Sequence, residues 1–312
     1  MDLKINRIST IPHLRNRRIL FGALHWGMGH VSRSIPLIET LLNQDNEVII
    51  ACNPKQEGIF RGYFPNVVYH SLEDYPFLFS EKGFRAIDFI RRIPKLFRHL
   101  HLEKRRVTEL LKDDRIDLIL SDHRYGFVNE HVESIFITHQ CILPLPGYGF
   151  IFQWIHRKLM QQFDACWIAD DITLRLAGKL SCMPKMPHLY LGVLSRFPSS
   201  LAERRWKVLL LNGPEAFHPL LIRHFEQELH SLDFVIGKHP FIPEGIPQIT
   251  DWEASDKILR ASHTVLSFCG YSTLMDMQAL QCQWQTVPTP GQYEQEYLYQ
   301  QKTLREGGFP NN

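Results

Sequence analysis

Ser267-Phe268-Cys269-Gly270-Tyr271-Ser272-Thr273-Leu274-Met275-Asp276, followed by Pro288-Thr289-Pro290-Gly291-Gln292-Tyr293-Glu294-Gln295-Glu296, states one pattern twice: strand, glycine turn, helix start. The apolar run Thr264-Val265-Leu266 feeds the first turn, where Gly270 allows close backbone approach. Ser272 and Thr273 bring hydroxyls, and amides that the helix itself cannot pair, to an end that attracts phosphate. Asp276 follows Thr273 by three residues, so its carboxylate lies one helical turn on and on the same side, suited to accepting hydrogen bonds from sugar hydroxyls. Two such turns in succession suit a nucleotide diphosphate. One alone is also the ordinary βα turn of a parallel sheet.

The same alternation extends toward the N-terminus. Ile19-Leu20-Phe21-Gly22-Ala23-Leu24 has β character, and residues 31–43 then carry helical spacing through Ile35, Ile38, Leu41 and Leu42. Further strands are expected at Glu47-Val48-Ile49-Ile50-Ala51, Asp117-Leu118-Ile119-Leu120, Ile135-Phe136-Ile137-Thr138 and Ala165-Cys166-Trp167-Ile168-Ala169. Short apolar strands separated by helices imply a parallel sheet covered on both faces, because parallel neighbours need crossover connections. Over residues 178–205, Pro184, Pro187 and Pro198 break every period and Ser199-Ser200 follow, which marks a joint. The alternation restarts with strand Lys207-Val208-Leu209-Leu210-Leu211, the turn Asn212-Gly213-Pro214, a helix over 218–230, strand Asp233-Phe234-Val235-Ile236-Gly237 and a helix over 252–261 capped by Asp251. The expected fold is α/β: two Rossmann-like domains with parallel sheets facing across a cleft. Its parts are an N-terminal extension 1–17, an N-terminal domain 18–197, a linker 198–205 and a C-terminal domain 206–312.

Composition agrees with two ordinary cores. The chain has 312 residues, 44% of them hydrophobic and 22% charged. A formal net charge of +2 does not advertise nucleic acid as a partner. Cys52, Cys141, Cys166, Cys182, Cys269 and Cys282 form no CxxC pair, which argues against a zinc site or a disulfide framework and for a reducing cytoplasm. The first eighteen residues lack the apolar core of a signal peptide, and no later run approaches the ~20 apolar residues that span a bilayer.

The first βα turn is His25-Trp26-Gly27-Met28-Gly29-His30. Gly27 and Gly29, at alternate positions, permit a tight turn with exposed amides, as in a phosphate loop. The dinucleotide fingerprint is incomplete, since Ser32 stands where its third glycine would be, and no P-loop Lys-Ser/Thr follows. His30, at the mouth of a helix, has the residue type for a general base near neutral pH. Such a base works better when a carboxylate holds its other ring nitrogen. Asp122 follows a strand and should emerge at the same carboxyl edge as His30, where such sheets place ligands. A plainer alternative has His30 capping the helix or binding phosphate and Asp122 capping a turn. His25 competes for the base role, but Trp26 beside it favours a packed histidine. No Asp-x-Asp follows a strand, Asp113-Asp114 and Asp170-Asp171 read as capping pairs, and His99 and His101 sit too close for one helix face, so no metal is expected. Helix starts at 270–273 and at the Asn212-Gly213 turn would then stabilise a leaving diphosphate, although Pro214 removes one amide from the second.

These turns resemble the donor-binding half of the GT-B nucleotide-sugar glycosyltransferases, and most closely the lipid-linked N-acetylglucosaminyl transferase of peptidoglycan synthesis and its predicted-glycosyltransferase relatives. Tyr190-Leu191-Gly192-Val193-Leu194-Ser195-Arg196-Phe197 resembles that family's interdomain segment, and Leu120-Ser121-Asp122-His123-Arg124-Tyr125-Gly126 and Ile137-Thr138-His139-Gln140 resemble blocks of the same relatives. The resemblance implies that Gly270, Ser272 and Thr273 meet the diphosphate, Asp276 the ribose, and Glu294 with Gln295 the sugar. It further implies that His30 takes the acceptor's proton or contacts the donor phosphates, with Asp122 as its partner. One departure is that the chain ends at Asn312, sooner after the Glu294-Gln295 turn than these enzymes usually do, so the last domain is expected to be short.

From Phe84 to Arg106, Phe84, Ile87, Ile90, Ile93, Phe97 and Leu100 recur at helical spacing among Arg85, Arg91, Arg92, Lys95, Arg98, Lys104, Arg105 and Arg106. Pro94 is expected to split the run, starting a second helix. The stretch suits an anionic bilayer or a polyprenyl-phosphate acceptor, and equally a solvated helix packed on its own domain. The expected protein is therefore a cytoplasmic, metal-independent, inverting glycosyltransferase at the inner face of the plasma membrane. No cofactor is expected beyond a nucleotide-sugar co-substrate, with uridine and N-acetylhexosamine implied by the resemblance alone, and the acceptor is a glycan or lipid-linked hydroxyl. A sugar-nucleotide epimerase of the same form and a non-catalytic partner subunit are the alternatives.

Overall fold

The computed structural model describes residues 14–25, 28–75, 86–145, 149–197, 203–305 and 307. They belong to two compact units, one ending at Leu194 and the other beginning at Ser195.

The first unit is a seven-stranded parallel sheet in the order β3-β2-β1-β4-β5-β6-β7. Its strands are β1 (Arg18–Ala23), β2 (Glu47–Cys52), β3 (Val68–Ser71), β4 (Leu118–Asp122), β5 (Ser134–Thr138), β6 (Ala165–Ile168) and β7 (His188–Tyr190), and its helices are α1 (Gly29–Leu42), α2 (Pro54–Tyr63), α3 (Ala86–Asp113) and α4 (Gly149–Met160). β1, β2, β4 and β5 are buried along nearly their whole length because helices cover both faces. Leu20, Ile49 and Ile119 pack on Val107 and Leu110 of α3, with Phe127, as one cluster. Asn53 and Gln56 close α2 with reciprocal cap bonds of 2.8 and 3.4 Å.

The helix α3 departs from expectation, because it runs unbroken through Pro94. A proline inside a helix forfeits the bond to the carbonyl four residues back and costs about 3 kcal/mol. Leu96, Leu100, Val107 and Leu110 are all buried along one face, and that burial offsets the loss. The proline-rich joint also differs: it contributes β7, a three-residue edge strand, just where Pro187 accepts from the Cys166 amide at 2.8 Å.

The second unit is a five-stranded parallel sheet, β10-β9-β8-β11-β12. The strands are β8 (Trp206–Leu210), β9 (Phe234–Ile236), β10 (Gln248–Ile249), β11 (Ser262–Phe268) and β12 (Gln283–Val287), with helices α5 (His218–His224), α6 (Trp252–Arg260), α7 (Tyr271–Leu280) and α8 (Tyr293–Arg305). Its core joins Leu209, Val235, Leu266 and Phe268 to Leu221 and Phe225. Asp251 caps α6 as expected, accepting from the Ala254 amide at 2.7 Å. The helix expected over 218–230 stops at His224, where Phe225 turns out of helical geometry and 3-10 turns follow.

Ser195, Arg196 and Phe197, expected to close the first domain, pack with the second unit. Ser195 Oγ donates to Asp276 at 2.7 Å, Arg196 pairs with Asp276 at 2.5 Å and with Asp256 at 2.8 Å, and its guanidinium lies 5.1 Å from the Trp252 ring. In each sheet the strand order reverses once, between β1 and β4 and between β8 and β11. Open α/β sheets bind ligands at the carboxyl ends of strands beside such a reversal.

Candidate functional site

In the first unit the reversal brings two expected residues together. β1 and β4 are parallel neighbours with Ala23 opposite Asp122, and the Leu24 amide donates to the Asp122 carbonyl at 3.0 Å. α1 starts at Gly29, so His30 reaches the same edge, and its Nδ1 lies 3.0 Å from Asp122 Oδ2. Gly27 lies outside the described residues. His25 points elsewhere: its Nδ1 accepts from the Tyr75 amide at 3.3 Å, and burial pulls its pKa down to about 4 against the pull of Asp74. It is the packed histidine of this turn.

A residue assigned no part from its sequence context dominates the pair. Arg33 is 2% exposed and donates through Nε to Asp122 Oδ2 at 3.0 Å and through Nη2 to Oδ1. Nη2 also lies 2.8 Å from His30 Nδ1, and Nη1 lies 2.8 Å from His139 Nδ1. Burial would push the Asp122 carboxyl up, but the charges and hydrogen bonds of Arg33 and His30 outweigh it and hold the group well below the usual carboxylate range. For His30, burial lowers the pKa, Arg33 lowers it further, and Asp122 opposes both, leaving it below 6.5.

Behind this pair runs a buried chain of rings whose protons can be placed. His156 Nε2 lies 2.8 Å from the Gln140 carbonyl, which only accepts, so that nitrogen carries a proton. Burial holds the ring's pKa down at about 4, so at neutral pH Nδ1 is bare and accepts from Tyr125 Oη at 2.7 Å. His123 stands between Tyr125 and His30, with ring centroids 5.5 and 6.0 Å away, and burial drives its pKa well below 6.5. Its φ of 61° is a left-handed conformation that costs about 1–3 kcal/mol in a non-glycine residue and that clusters at functional sites. Asp170 and Asp171, by contrast, hold turn amides: Asp170 accepts from Leu176 at 2.9 Å and Ala177 at 3.1 Å, and Asp171 from Thr173 at 2.8 Å. Among the described residues, no group of three His, Cys, Asp or Glu side chains is placed to hold a metal ion.

In the second unit the turns after β8, β11 and β12 line one sheet edge, since Ser267 stands opposite Leu210 and Phe268 opposite Val287. Asn212 ties two of them: Nδ2 donates to the Phe268 carbonyl at 2.9 Å and to Thr273 Oγ1 at 3.1 Å, and Oδ1 accepts from the Phe268 amide at 2.8 Å. Gly213 needs to be glycine, with φ 78°. Gly270 does not. Its φ is −86°, and a Cβ there would meet nothing closer than Thr273 Oγ1 at 3.5 Å. Thr289 Oγ1 is buried without a partner on the third turn.

No family profile and no curated protein sequence matches the chain. Solved structures do match. UGT89C1 of Arabidopsis thaliana is 14% identical over 93% of this chain and 83% of its own, with a TM-score of 0.64. The spinosyn forosaminyltransferase SpnP is 12% identical over 94% and 85%, with a TM-score of 0.57. The spinosyn rhamnosyltransferase SpnG, solved with thymidine diphosphate, is 14% identical over 93% and 85%, with a TM-score of 0.56. The fold is that of the GT-B glycosyltransferases. At these identities the likeness is one of fold.

Within that GT-B fold three expected donor contacts have other engagements. Asp276 is buried, its Oδ1 accepting from Ser195 and its Oδ2 from Arg196, so a ribose would have to share oxygens already in use. Gln295 uses Oε1 to accept from the Thr289 amide at 2.9 Å and Nε2 to donate to Gln292 at 2.7 Å, which braces the third turn. Thr273 Oγ1 accepts from Asn212. Ser272 and Glu294 are half-buried at the starts of α7 and α8. Arg33 had one legible sign: it stands three residues after His30, on the same helical face.

Proposed function

We propose that this chain is a nucleotide-sugar-dependent glycosyltransferase. It would move an N-acetylhexosamine from uridine diphosphate to a hydroxyl of a glycan or lipid-linked acceptor, in one inverting step and without a metal. The observation that carries this reading is the His30–Asp122 contact of 3.0 Å at the strand-order reversal of the first sheet. Uridine and N-acetylhexosamine rest on the sequence resemblance alone.

In the proposed step His30 Nε2 takes the acceptor hydroxyl's proton, and the oxygen attacks the anomeric carbon opposite the diphosphate. The bond from that carbon to the diphosphate oxygen breaks, and its electron pair leaves with the nucleotide. Such a charge is best received by main-chain amides and the positive end of a helix dipole, and the start of α7 offers both. Gly270 supports this assignment, because nothing in its backbone or its neighbours requires a glycine, which leaves room for a ligand as the reason. Asp276 holds Ser195 and Arg196 against α7, and Glu294 is the sugar contact at the third turn.

His30→Ala should lower transfer by at least ~100-fold, the usual cost of losing a general base, while leaving nucleotide binding nearly unchanged. Thermal-shift screening with a panel of nucleotide-sugars identifies the donor, since a ligand of the folded state raises its stability. Product formed from nucleotide-sugar alone would point instead to an epimerase, and turnover unchanged in His30→Ala would remove the base.

Contact with an anionic membrane is a second reading, supported by two helices of the first unit. Residues 84 and 85 of the basic stretch, and the side chains of 86–93, lie outside what is described. Along the rest, Phe97 and Leu102 of α3 are exposed beside Lys95, Arg98, Arg105 and Arg106. On α4, Phe150 and Trp154 are 67% and 61% exposed, next to Ile151, Arg157 and Lys158. Leu96 and Leu100 share one cluster with Leu159, so the two helices are neighbours. Apolar tips among cations suit an acidic headgroup layer. Among the described residues no helix is long and apolar enough to cross a membrane. Sedimentation with phosphatidylglycerol vesicles, but not with neutral ones, is the expected result, and Trp154→Ser should weaken it.

A further inference from the structure

Arg33 places a buried guanidinium against a residue that the proposed reaction needs uncharged. A buried arginine calls for good partners, and Asp122 alone would meet that need, since both its oxygens accept from Arg33. Yet Nη2 also faces His30 Nδ1 at 2.8 Å, closer than Asp122 Oδ2 stands to the same nitrogen at 3.0 Å. A guanidinium has only N–H groups, so its contact with Nδ1 is attractive when that nitrogen bears a lone pair. Asp122 has only acceptors, so its contact is attractive when Nδ1 bears the proton. The neutral tautomer with Nδ1–H satisfies Asp122 and leaves Nε2 bare to act as the base, whereas the tautomer with a bare Nδ1 satisfies Arg33 and carries its proton on Nε2. A second proton on the ring adds a full positive charge beside the guanidinium, which Arg33 opposes.

We infer that Arg33 is a positioning residue that shares Asp122 with His30 and thereby keeps the imidazole neutral and ready to accept a proton. A histidine paired with a buried carboxylate alone would be drawn further toward the imidazolium. Arg33 satisfies the carboxylate in advance and opposes a second proton on the ring. The direction found for His30, lowered by burial and then by Arg33, agrees. The other titratable groups that face it are Asp122 and His123 at the end of β4, His139 after β5 and His25 after β1. Of these only Asp122 favours the charged ring.

The inference rests on the proposed base role, but its test does not need turnover. The probe is the imidazole nitrogen spectrum of 15N-histidine-labelled full chain, titrated by NMR, with the His30 signals assigned by their loss in His30→Gln. Wild type should titrate below the ordinary value near 6.5. Arg33→Met should raise that midpoint by at least about one unit, and Arg33→Lys, which keeps the charge, should hold it near wild type. The acid limb of the transfer profile should move up with it in Arg33→Met. If Arg33→Met does not fold, Asp122→Asn tests the same idea from the other side, because an unopposed Arg33 should push the midpoint lower still. An unchanged or lowered midpoint in folded Arg33→Met, or a raised one in Asp122→Asn, overturns the inference. Absence of transfer with the predicted NMR shifts would overturn the proposed function and leave Arg33's part standing.

Discussion

At the β1/β4 edge of the first sheet the polar atoms belong to acidic, basic and imidazole side chains: His30, Asp122, Arg33 and, from the end of β5, His139. At the β8/β11/β12 edge of the second they belong mainly to main-chain amides, Asn212, Thr273 and Thr289, with the half-buried Glu294 at the third turn. The two edges share one topology and differ in what a charge costs there. The first holds one buried carboxylate that is stable only because a guanidinium occupies both its oxygens. The second spreads its polarity over dipoles that need no counter-ion, which suits the reception of a charge that arrives and leaves with a ligand.

Removing one charge from the first edge should therefore do the greatest damage. Asp122→Ala leaves Arg33 buried with no carboxylate, and breaking a buried pair in this way costs about 3–5 kcal/mol. Calorimetric unfolding should show that loss. A loss under about 1 kcal/mol would mean that water reaches the guanidinium and that the edge is wetter than its burial implies.

Acid should separate the two edges next. His25 and His156 have pKa values drawn down to about 4, and His30 and His123 are lowered as well. All four are in the first unit. A histidine lowered on folding binds fewer protons than the unfolded chain between its folded value and about 6.5, so stability is present above that range and is lost as pH falls through it. His156 alone accounts for about 2 kcal/mol between pH 7 and pH 5. The second unit has one lowered histidine, His218. Hydrogen exchange at pH 5 should then show first-unit amides losing protection ahead of second-unit amides, and equal loss would erase the distinction.

Much of this was legible in the chain because it is local. The β and α periods, the Asp251 cap and the emergence of His30 and Asp122 at one edge follow from runs of under twenty residues and the rule that parallel strands share an edge. What escaped depends on partners far off in sequence. Arg33 shows no more than its place three residues after His30 until Asp122, 89 residues on, is seen to accept from it. Asp276 reads as an open acceptor until Arg196, 80 residues back, is seen to fill it. Pro94 reads as a break because propensity is local, while the buried face that carries α3 past it is not.

The smallest expected effect is the sharpest test of the second edge. Gly270 has a φ that any residue adopts, and a Cβ there finds ordinary contacts of 3.5 and 3.8 Å with Thr273 and Asn212. Replacing glycine by alanine at a compatible position stabilises by about 0.4–1 kcal/mol through the unfolded chain, and alanine is the poorer residue at a helix start by a similar amount. The two nearly cancel, so Gly270→Ala should unfold within a degree or two of wild type, as a ~0.5 kcal/mol change would allow. Nucleotide binding should nonetheless fall, because the methyl group stands where a phosphate would approach the α7 amides. Calorimetry on the best ligand of the nucleotide-sugar panel reads the second quantity and a thermal melt the first. Unchanged affinity with an unchanged melt would mean that the diphosphate, if it binds this unit, does so away from α7, and the amide-lined edge would lose its assigned part.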